Sequence, residues 1–215
     1  PEVPVSVHGS LLMSFPEKDF DAPANNSLVD EFGRHHTDLR ISVTDRCNLR
    51  CGYCMPLEAS FMSQQRLLTY DEVARCANVA SEMGIQTIRL TGGEPLMRPR
   101  LDQLIEQLTQ LPKIQEVALT TNGLLLADQA AGLARAGLSR LNVSLDSLDE
   151  ARFEKIARRS GLQRILKGLE EARRQGFRSI RMNAVSIRGL TEQDIVPLAE
   201  FCRTHCFHLR FIEFM

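Results

Sequence analysis

The chain has 215 residues, of which 43% are apolar and 25% charged, with a formal net charge of −1. This composition is ordinary for a soluble globular protein with one substantial core. The near-neutral charge supplies no global field that would attract nucleic acid or a membrane surface. No apolar run reaches the roughly 18 residues of a membrane-spanning helix. We therefore expect neither a nucleic-acid partner nor a membrane partner.

The first stretch, residues 1–27, is rich in proline, polar and acidic residues. Its apolar patch, residues 11–13, is too short for the core of a signal peptide, and its acidic residues argue against an organellar transit peptide. We interpret residues 1–27 as a mobile N-terminal extension and residues 28–215 as the folded core.

From residue 38 onward, strand-like and helix-like segments alternate. Repeated βα units predict parallel strands with right-handed crossovers, and hence an α/β fold. The predicted strands are residues 39–44, 87–91, 116–121, 140–145, 179–186 and 208–214. The predicted amphipathic helices are residues 69–83, 99–110, 124–136, 149–157, 161–175 and 191–205.

Several helix ends have recognisable signals. Thr69 with Glu72, and Thr191 with Asp194, have the spacing of capping boxes, and Ser147 or Asp149 could begin the fourth helix. Three glycines follow helices where a left-handed C-cap is expected. These glycines are Gly84, Gly137 and Gly176.

One face of nearly every predicted strand is polar. The interior of a closed TIM barrel is filled by bulky branched side chains, whereas buried donors need polar partners. Because parallel strands with helical crossovers are usually buried on both sides, the pattern predicts an incomplete barrel around a polar ligand. Its four arginines would suit a highly anionic substrate. The polar positions are Arg40, Ser42, Thr44, Arg89, Thr91, Thr120, Asn122, Asn142, Ser144, Asp146, Arg181, Asn183 and Arg210.

Three cysteines, Cys47, Cys51 and Cys54, follow the first predicted strand directly. A structural zinc or an electron-transfer cluster normally takes four protein ligands. A 4Fe–4S cluster held by three cysteines keeps one iron open, and an open iron can bind and activate a substrate.

A zinc site is the alternative, and it would make the chain a zinc-binding interaction module. The fourth ligand would then come from Cys76, Cys202, Cys206 or a histidine. Disulfides are less favoured, because nothing in the sequence suggests secretion. Clustered cysteines instead indicate a reducing compartment, hence the cytoplasm.

A glycine-rich turn, Gly92-Gly93-Glu94-Pro95, follows the second predicted strand. Ligand sites collect at the carboxyl ends of parallel strands, and paired glycines allow a close backbone approach. By itself this segment is more often a plain turn.

The spacing Cys-x3-Cys-x2-Cys, the aromatic Tyr53 before the last cysteine and the Gly-Gly-Glu-Pro turn resemble those of radical S-adenosylmethionine (SAM) enzymes. Within them, the chain resembles the GTP 3′,8-cyclase family of molybdenum cofactor biosynthesis. This resemblance begins at about residue 28, and it implies an incomplete (β/α)6 TIM-type barrel. The segments that carry it are residues 33–42, 88–96, 120–123, 142–147 and 209–215.

The resemblance also implies roles for individual residues. The ligands of the SAM-binding 4Fe–4S cluster would be Cys47, Cys51 and Cys54. The contacts to SAM would be Tyr53, Gly93, Ser144 and Met215. The contacts to GTP would be Arg40, Arg89, Thr120 and Arg181. The family typically has lysine where this chain has Arg181, so charge is preserved there but geometry is not.

By the same resemblance, the chain would be a radical SAM lyase. A 5′-deoxyadenosyl radical would abstract hydrogen from the ribose C3′ of GTP, and C3′ would then attack C8 of guanine. No side chain need act as a general acid or base in the first step. Implied partners are a flavodoxin- or ferredoxin-like electron donor and a downstream pterin synthase, and a homodimer is allowed.

The family has a C-terminal region with a second 4Fe–4S cluster, and this chain stops before it. We therefore expect a fragment with poor turnover. The remaining alternative is another radical SAM enzyme, acting on a peptide or a small molecule, which would not need Arg40, Arg89 and Thr120 to face one cavity.

Overall fold

The computed structural model describes residues 27–214. Of the predicted extension, only Ser27 is among them, so the prediction of mobility lies outside the described residues. Met215, a predicted SAM contact, lies outside them as well.

The fold is one parallel six-stranded sheet in which each strand pairs with its neighbours in sequence order. Strands β1 and β6 form the two ends of the sheet, so it is an open, incomplete barrel, as predicted. The strands are β1 (Asp38–Ser42), β2 (Thr87–Thr91), β3 (Glu116–Thr121), β4 (Arg140–Ser144), β5 (Ile180–Ser186) and β6 (His208–Glu213). The helices are α1 (Tyr70–Glu82), α2 (Leu101–Thr109), α3 (Leu126–Arg135), α4 (Glu150–Ala157), α5 (Leu162–Arg174) and α6 (Ile195–His205).

The hydrophobic core lies between the sheet and the helices. Apolar residues alternate with polar ones along the strands, so that Leu90, Leu119 and Leu141 point to the helical side and are fully buried. From the helices, Leu104 and Ile165 close this layer without measurable exposure. The polar residues of the same strands therefore share the opposite, inner face.

Helix-end signals were correct in all but one case. Thr69 and Glu72 form the predicted capping box, and Asp149 caps α4 by accepting a hydrogen bond from the Arg152 amide at 2.8 Å. The three predicted C-cap glycines have positive φ values.

The capping box predicted at Thr191 and Asp194 is wrong. The Thr191 hydroxyl accepts a hydrogen bond from the Ile187 amide at 2.7 Å instead. The buried Asp194 carboxylate accepts hydrogen bonds from Ser147 at 2.7 Å and Arg152 at 2.8 Å. Tertiary partners have thus displaced the local cap. Helix α6 begins only at Ile195, after a 3-10 turn.

Within residues 27–214, no helix is both long enough and apolar enough to cross a membrane.

Candidate active site

The loop that carries the three cysteines, residues 45–54, is held from two sides; we call it the cysteine loop. On one side, the backbone N–H of Gly93 donates to Thr44 O at 2.7 Å, and that of Glu94 donates to Arg46 O at 2.7 Å. On the other side, the N–H of Gly52 donates to Ile156 O at 3.0 Å. The loop therefore bridges the turn after β2 and the end of α4.

The paired glycines are required by this close backbone contact. A Cβ at Gly93 would lie 2.3 Å from Arg46 O, and one at Gly92 would lie 2.3 Å from Thr44 O. Gly92 also has a φ of +151°. Only glycine lets the two backbone segments meet here.

Glu94 is fully buried, and its carboxylate has three hydrogen-bond donors. Its carboxylate accepts hydrogen bonds from the Thr121 hydroxyl and the backbone N–H of Asn122, both at 2.7 Å, and from the backbone N–H of Leu96 at 3.0 Å. Burial raises the pKa of Glu94, and these hydrogen bonds oppose that shift. From the sequence, Glu94 was predicted only as part of a turn. A buried carboxylate with three donors shows that it fixes the end of β3 against the turn after β2.

The three cysteine thiols are reduced; Cys47 and Cys51 are partly buried and Cys54 is exposed. Burial raises the pKa of Cys47, and it raises the pKa of Cys51 to about 12, with neighbouring Asp146 and the other two thiols acting in the same direction. A cationic metal centre would reverse this preference, because thiolates are the ligand form.

The donor set fits an iron–sulfur cluster. Three soft sulfur ligands lie in one short loop. The Leu49 amide at 3.4 Å and the Asn122 side-chain amide at 3.8 Å already donate toward Cys47 Sγ, as they would to a negatively charged sulfur. Among residues 27–214, no three Cys, His, Asp or Glu side chains are arranged to hold a metal ion as they stand.

The cysteines considered as fourth zinc ligands lie on other elements. Cys76 is exposed on α1, and Cys206 is exposed just after α6. Cys202 is buried in α6, where its thiol lies 3.4 Å from Met182 Sδ. Burial raises the pKa of Cys202 to about 11.

Tyr53 links the cysteine loop to the middle of the sheet. Its hydroxyl donates to Asp146 Oδ2 at 2.6 Å, and the Val185 amide donates to Asp146 Oδ1 at 2.8 Å. The Tyr53 ring also lies near Phe214, with ring centroids 6.4 Å apart. Burial, followed by the Asp146 charge, raises the pKa of Tyr53, so this hydroxyl stays protonated.

Two further predicted SAM contacts share the edge at which Tyr53 is held. Gly93 follows β2, and Ser144 is the last residue of β4, so both lie at carboxyl ends of parallel strands. The structure therefore brings together Tyr53, Gly93 and Ser144.

The predicted GTP contacts also share one face of the sheet. Arg40 pairs in register with Arg89, and Thr120 lies two strands from Arg181, with Asn142 between them in the same row. Burial lowers the pKa of Arg89, and the charges of Arg140, Arg40 and Arg181 lower it further. The arginines thus form a cluster of mutually repelling cations.

Arg140 belongs to this cluster, although it is not among the inner-face positions predicted from the sequence. It precedes Asn142 by two residues, so alternation along β4 could have placed it on the inner face. The register sets it two strands from Arg89, with Ala118 between them in the same row. It is partly neutralised by Glu116, whose carboxylate lies 2.5 Å away.

Apart from Glu116, which pairs with Arg140, three buried polar atoms on the inner face have no hydrogen-bond partner among residues 27–214. They are Nε of Arg89, Nε of Arg140 and Oδ1 of Asn183. Buried polar groups are normally satisfied. Unpaired arginine donors are therefore suited to bind an anionic ligand.

One sizeable cavity lies away from this site. It measures about 740 Å³ and lies outside the sheet, between α5 and α6, beside Phe201, His205 and Phe207. The inner face of an open sheet is not enclosed, so cavity size does not identify the site here. We assign the site from the cysteine loop and the arginine cluster.

Fold and site together define a class of protein. Residues 41–202 match the family described as the Radical SAM superfamily, and the chain belongs to that superfamily. Among solved structures, it is similar to Streptococcus suis SuiB bound to precursor peptide SuiA, with a TM-score of 0.72 and 22% identity over 83% of this chain and 39% of that one. It is also similar to SuiB bound to S-adenosylmethionine, with a TM-score of 0.68 and 21% identity over the same shares of the two chains.

Relatives with higher sequence identity indicate which members of the superfamily the chain is most like. The chain is 48% identical to GTP 3′,8-cyclase of Rhodopirellula baltica over 98% of this chain and 58% of the relative. It is 46% identical to Molybdenum cofactor biosynthesis protein 1 of Drosophila melanogaster over 89% of this chain and 34% of the relative. The chain therefore spans little more than half the length of the bacterial relative. The first match also reaches into residues 1–27, farther than the resemblance seen in the sequence.

Proposed function

We propose that this chain is the radical-generating core of a GTP 3′,8-cyclase. The complete enzyme would be a lyase that converts GTP to (8S)-3′,8-cyclo-7,8-dihydroguanosine 5′-triphosphate in molybdopterin biosynthesis. The observation that carries the proposal is the arginine cluster on the inner face, beside the cysteine loop. The names of the relatives at 46–48% identity support it.

In this proposal, Cys47, Cys51 and Cys54 hold a 4Fe–4S cluster. Such a cluster, when bound, would supply the electron that splits SAM into methionine and a 5′-deoxyadenosyl radical. The protein orients this chemistry, because backbone hydrogen bonds from Gly93 and Glu94 hold the segment leading into Cys47.

The proposed SAM contacts are Tyr53, Gly93, Ser144 and Met215. Tyr53 is fixed by its hydrogen bond to Asp146 and by the neighbouring Phe214 ring. A fixed aromatic side chain next to the last cluster cysteine restricts where the cofactor can lie. Holding reacting groups in the correct orientation can supply much of an enzyme's rate enhancement.

The proposed GTP contacts are Arg40, Arg89, Thr120 and Arg181, and Arg140 adds to their field. Mutual repulsion among these arginines is relieved when a triphosphate binds. Arginine can also chelate phosphate with two parallel hydrogen bonds. A general acid or base is not required of any of these residues.

Several features would belong to the longer protein or to the cell. They are the second 4Fe–4S cluster, a flavodoxin- or ferredoxin-like electron donor, a downstream pterin synthase, a homodimer and a cytoplasmic location. We propose residues 28–215 as the radical SAM core to which these features attach.

The test is anaerobic reconstitution followed by three measurements: iron and sulfide content, 5′-deoxyadenosine formed from SAM under dithionite, and GTP binding. We expect about four irons per chain, SAM cleavage, and GTP binding that weakens about tenfold in Arg89→Met. Colourless protein containing zinc would instead indicate a zinc-binding module.

A radical SAM enzyme acting on a peptide or another small molecule is less favoured. The solved structure with a bound peptide is 22% identical and supports the fold alone. SAM cleavage without any GTP affinity in the longer protein would favour that alternative over GTP cyclisation.

A further inference from the structure

A second group of arginines lies on the outer side of the cysteine loop, away from the inner face. A cavity of about 330 Å³ opens there, lined in part by Arg46, Arg98 and Arg100. Gln64 also lines it, and Arg66 is exposed in the same 3-10 turn. We call Arg46, Arg66, Arg98 and Arg100 the outer arginine patch.

The patch includes one residue of the cysteine loop and contacts the segments next to the loop. Arg98 donates a hydrogen bond to Val43 O at 2.8 Å, and its guanidinium lies 4.3 Å from the centroid of the Tyr70 ring. Arg46 is bonded to Cys47 through one peptide, and its carbonyl accepts the hydrogen bond of Glu94. A protein docked on the patch would therefore lie close to the proposed cluster ligands, because Arg46 directly precedes Cys47.

The charged side chains that line the cavity are all arginines. No acidic residue is among the described residues that line the cavity. Arg46 Nε is buried and has no hydrogen-bond partner within the described part of the chain, and Arg66 and Arg100 are exposed at the surface. Three carboxylates lie nearby: Asp45 directly precedes Arg46 and accepts a hydrogen bond from the Met62 amide at 2.6 Å, Glu72 is held in its capping box, and Asp102 lines the neighbouring groove.

We infer that the outer arginine patch is the docking surface for an acidic electron-donor protein. The inference rests on the proposed function, because only a cluster-bearing loop needs an external electron. Opposite surface charges steer association between proteins. The inner face is reserved for substrate and cofactor, so an approach from the outside does not compete with them. In the transfer, the donor loses one electron and the cluster gains one, and no bond or proton moves.

The test compares two charge-reversal double variants of the reconstituted protein. One is R66E/R100E in the patch. The control is R173E/R178E, in the segment where α5 ends and β5 begins. The probe is reduced flavodoxin, an acidic flavin protein. We expect its association rate with R66E/R100E to fall about tenfold at low ionic strength. The difference should vanish near 1 M salt, where the Debye length is about 3 Å.

A second measurement does not depend on any variant. Hydrogen exchange of the unmodified protein should slow in residues 64–68 and 97–101 when flavodoxin is added. Protection confined to other segments, or equal flavodoxin binding by the two double variants, would overturn the docking surface.

Dithionite separates failure of the docking surface from failure of the proposed function, because it delivers electrons without docking. We expect R66E/R100E to keep dithionite-driven 5′-deoxyadenosine formation and to lose flavodoxin-driven formation about tenfold. If dithionite works but flavodoxin-driven rates are equal in both double variants, the docking surface is wrong and the function stands. If dithionite yields no cleavage in the unmodified protein, the function itself fails.

Discussion

Tyr53 and Asp146 illustrate how single side chains hold the site together. Their hydrogen bond joins residues 93 positions apart. Asp146 is 8% exposed, and burial raises its pKa while the hydrogen bonds from Tyr53 and Val185 oppose the shift. The pair therefore fixes the cysteine loop on β4 and β5 before any ligand is present.

The two tyrosines of the chain allow a matched test of this pair. Tyr53→Phe leaves a buried carboxylate oxygen without its donor, so we expect a loss of about 1–3 kcal/mol in the free energy of unfolding. Tyr70 donates to Pro99 O at an exposed position, so Tyr70→Phe should cost about 1 kcal/mol or less. Urea denaturation of the two variants checks this. Equal losses would contradict a special role for the buried pair.

Gly93 gives a second test at the same scale. In Gly93→Ala, the new methyl would meet Arg46 O at 2.3 Å, and the backbone must shift. We expect a loss of about 1–3 kcal/mol and faster reaction of Cys47 and Cys51 with a thiol reagent.

Gly132 in α3 is the control for Gly93. Its added methyl would find the nearest heavy atom at 3.7 Å, so Gly132→Ala should gain about 0.5–1 kcal/mol. Unchanged thiol reactivity in Gly93→Ala would show that the turn does not hold the loop.

At the level of elements, helix α5 has a measurable acid dependence near its C-terminus. Hydrogen bonds from Arg174, and then from Gln175, lower the pKa of Glu171 to about 2. The folded pKa lies below the unfolded value, so the stabilisation is full above about pH 4.5 and is lost as the pH falls toward 2. Glu171→Gln should therefore show a smaller loss of stability than the unmodified protein between pH 4.5 and 2.

Urea midpoints at several pH values within that window would measure this effect. Glu170→Gln, the neighbouring exposed glutamate on the same helix, is the control and should follow the unmodified protein. If Glu171→Gln also follows it, the pair with Arg174 does not persist in solution.

Helices and strands were the most predictable elements, because their period depends on local alternation of apolar and polar residues. All six strands and all six helices of the described part were predicted, and their observed bounds differ from the predicted ones by a few residues at most. The error at Thr191 has a physical cause. Asp194 could cap α6 locally, but Ser147 and Arg152 offer it a buried, charge-assisted alternative that no local pattern contains.

At the scale of the whole molecule, repulsion within the inner arginine cluster opposes folding of the ligand-free protein, whereas the same charges favour binding of an anionic ligand. The Arg89 side chain is 24% exposed and is repelled by Arg140 and Arg40. Without a ligand, Arg89→Met should leave the free energy of unfolding unchanged or raise it by up to about 1 kcal/mol.

With GTP present, we expect the unmodified protein to be more stable than Arg89→Met. At 100 times its dissociation constant, a ligand stabilises by about 2.7 kcal/mol, and tenfold weaker binding leaves about 1.4 kcal/mol. Thermal unfolding with and without GTP measures both effects. Arg178→Met, before β5, should keep the full GTP stabilisation. A similar loss in Arg178→Met would show that the effect reflects general charge rather than the cluster.

Local patterns in the chain sufficed for the α/β class, the order of its elements, the polar strand face and the cysteine triplet, since each depends on residues near one another in sequence. Coordinates were needed for the Tyr53–Asp146 bond, the three donors around Glu94, the place of Arg140 and the outer arginine patch. These contacts join segments separated by tens of residues. Their geometry is fixed by strand register and burial, which emerge only when the whole sheet is packed.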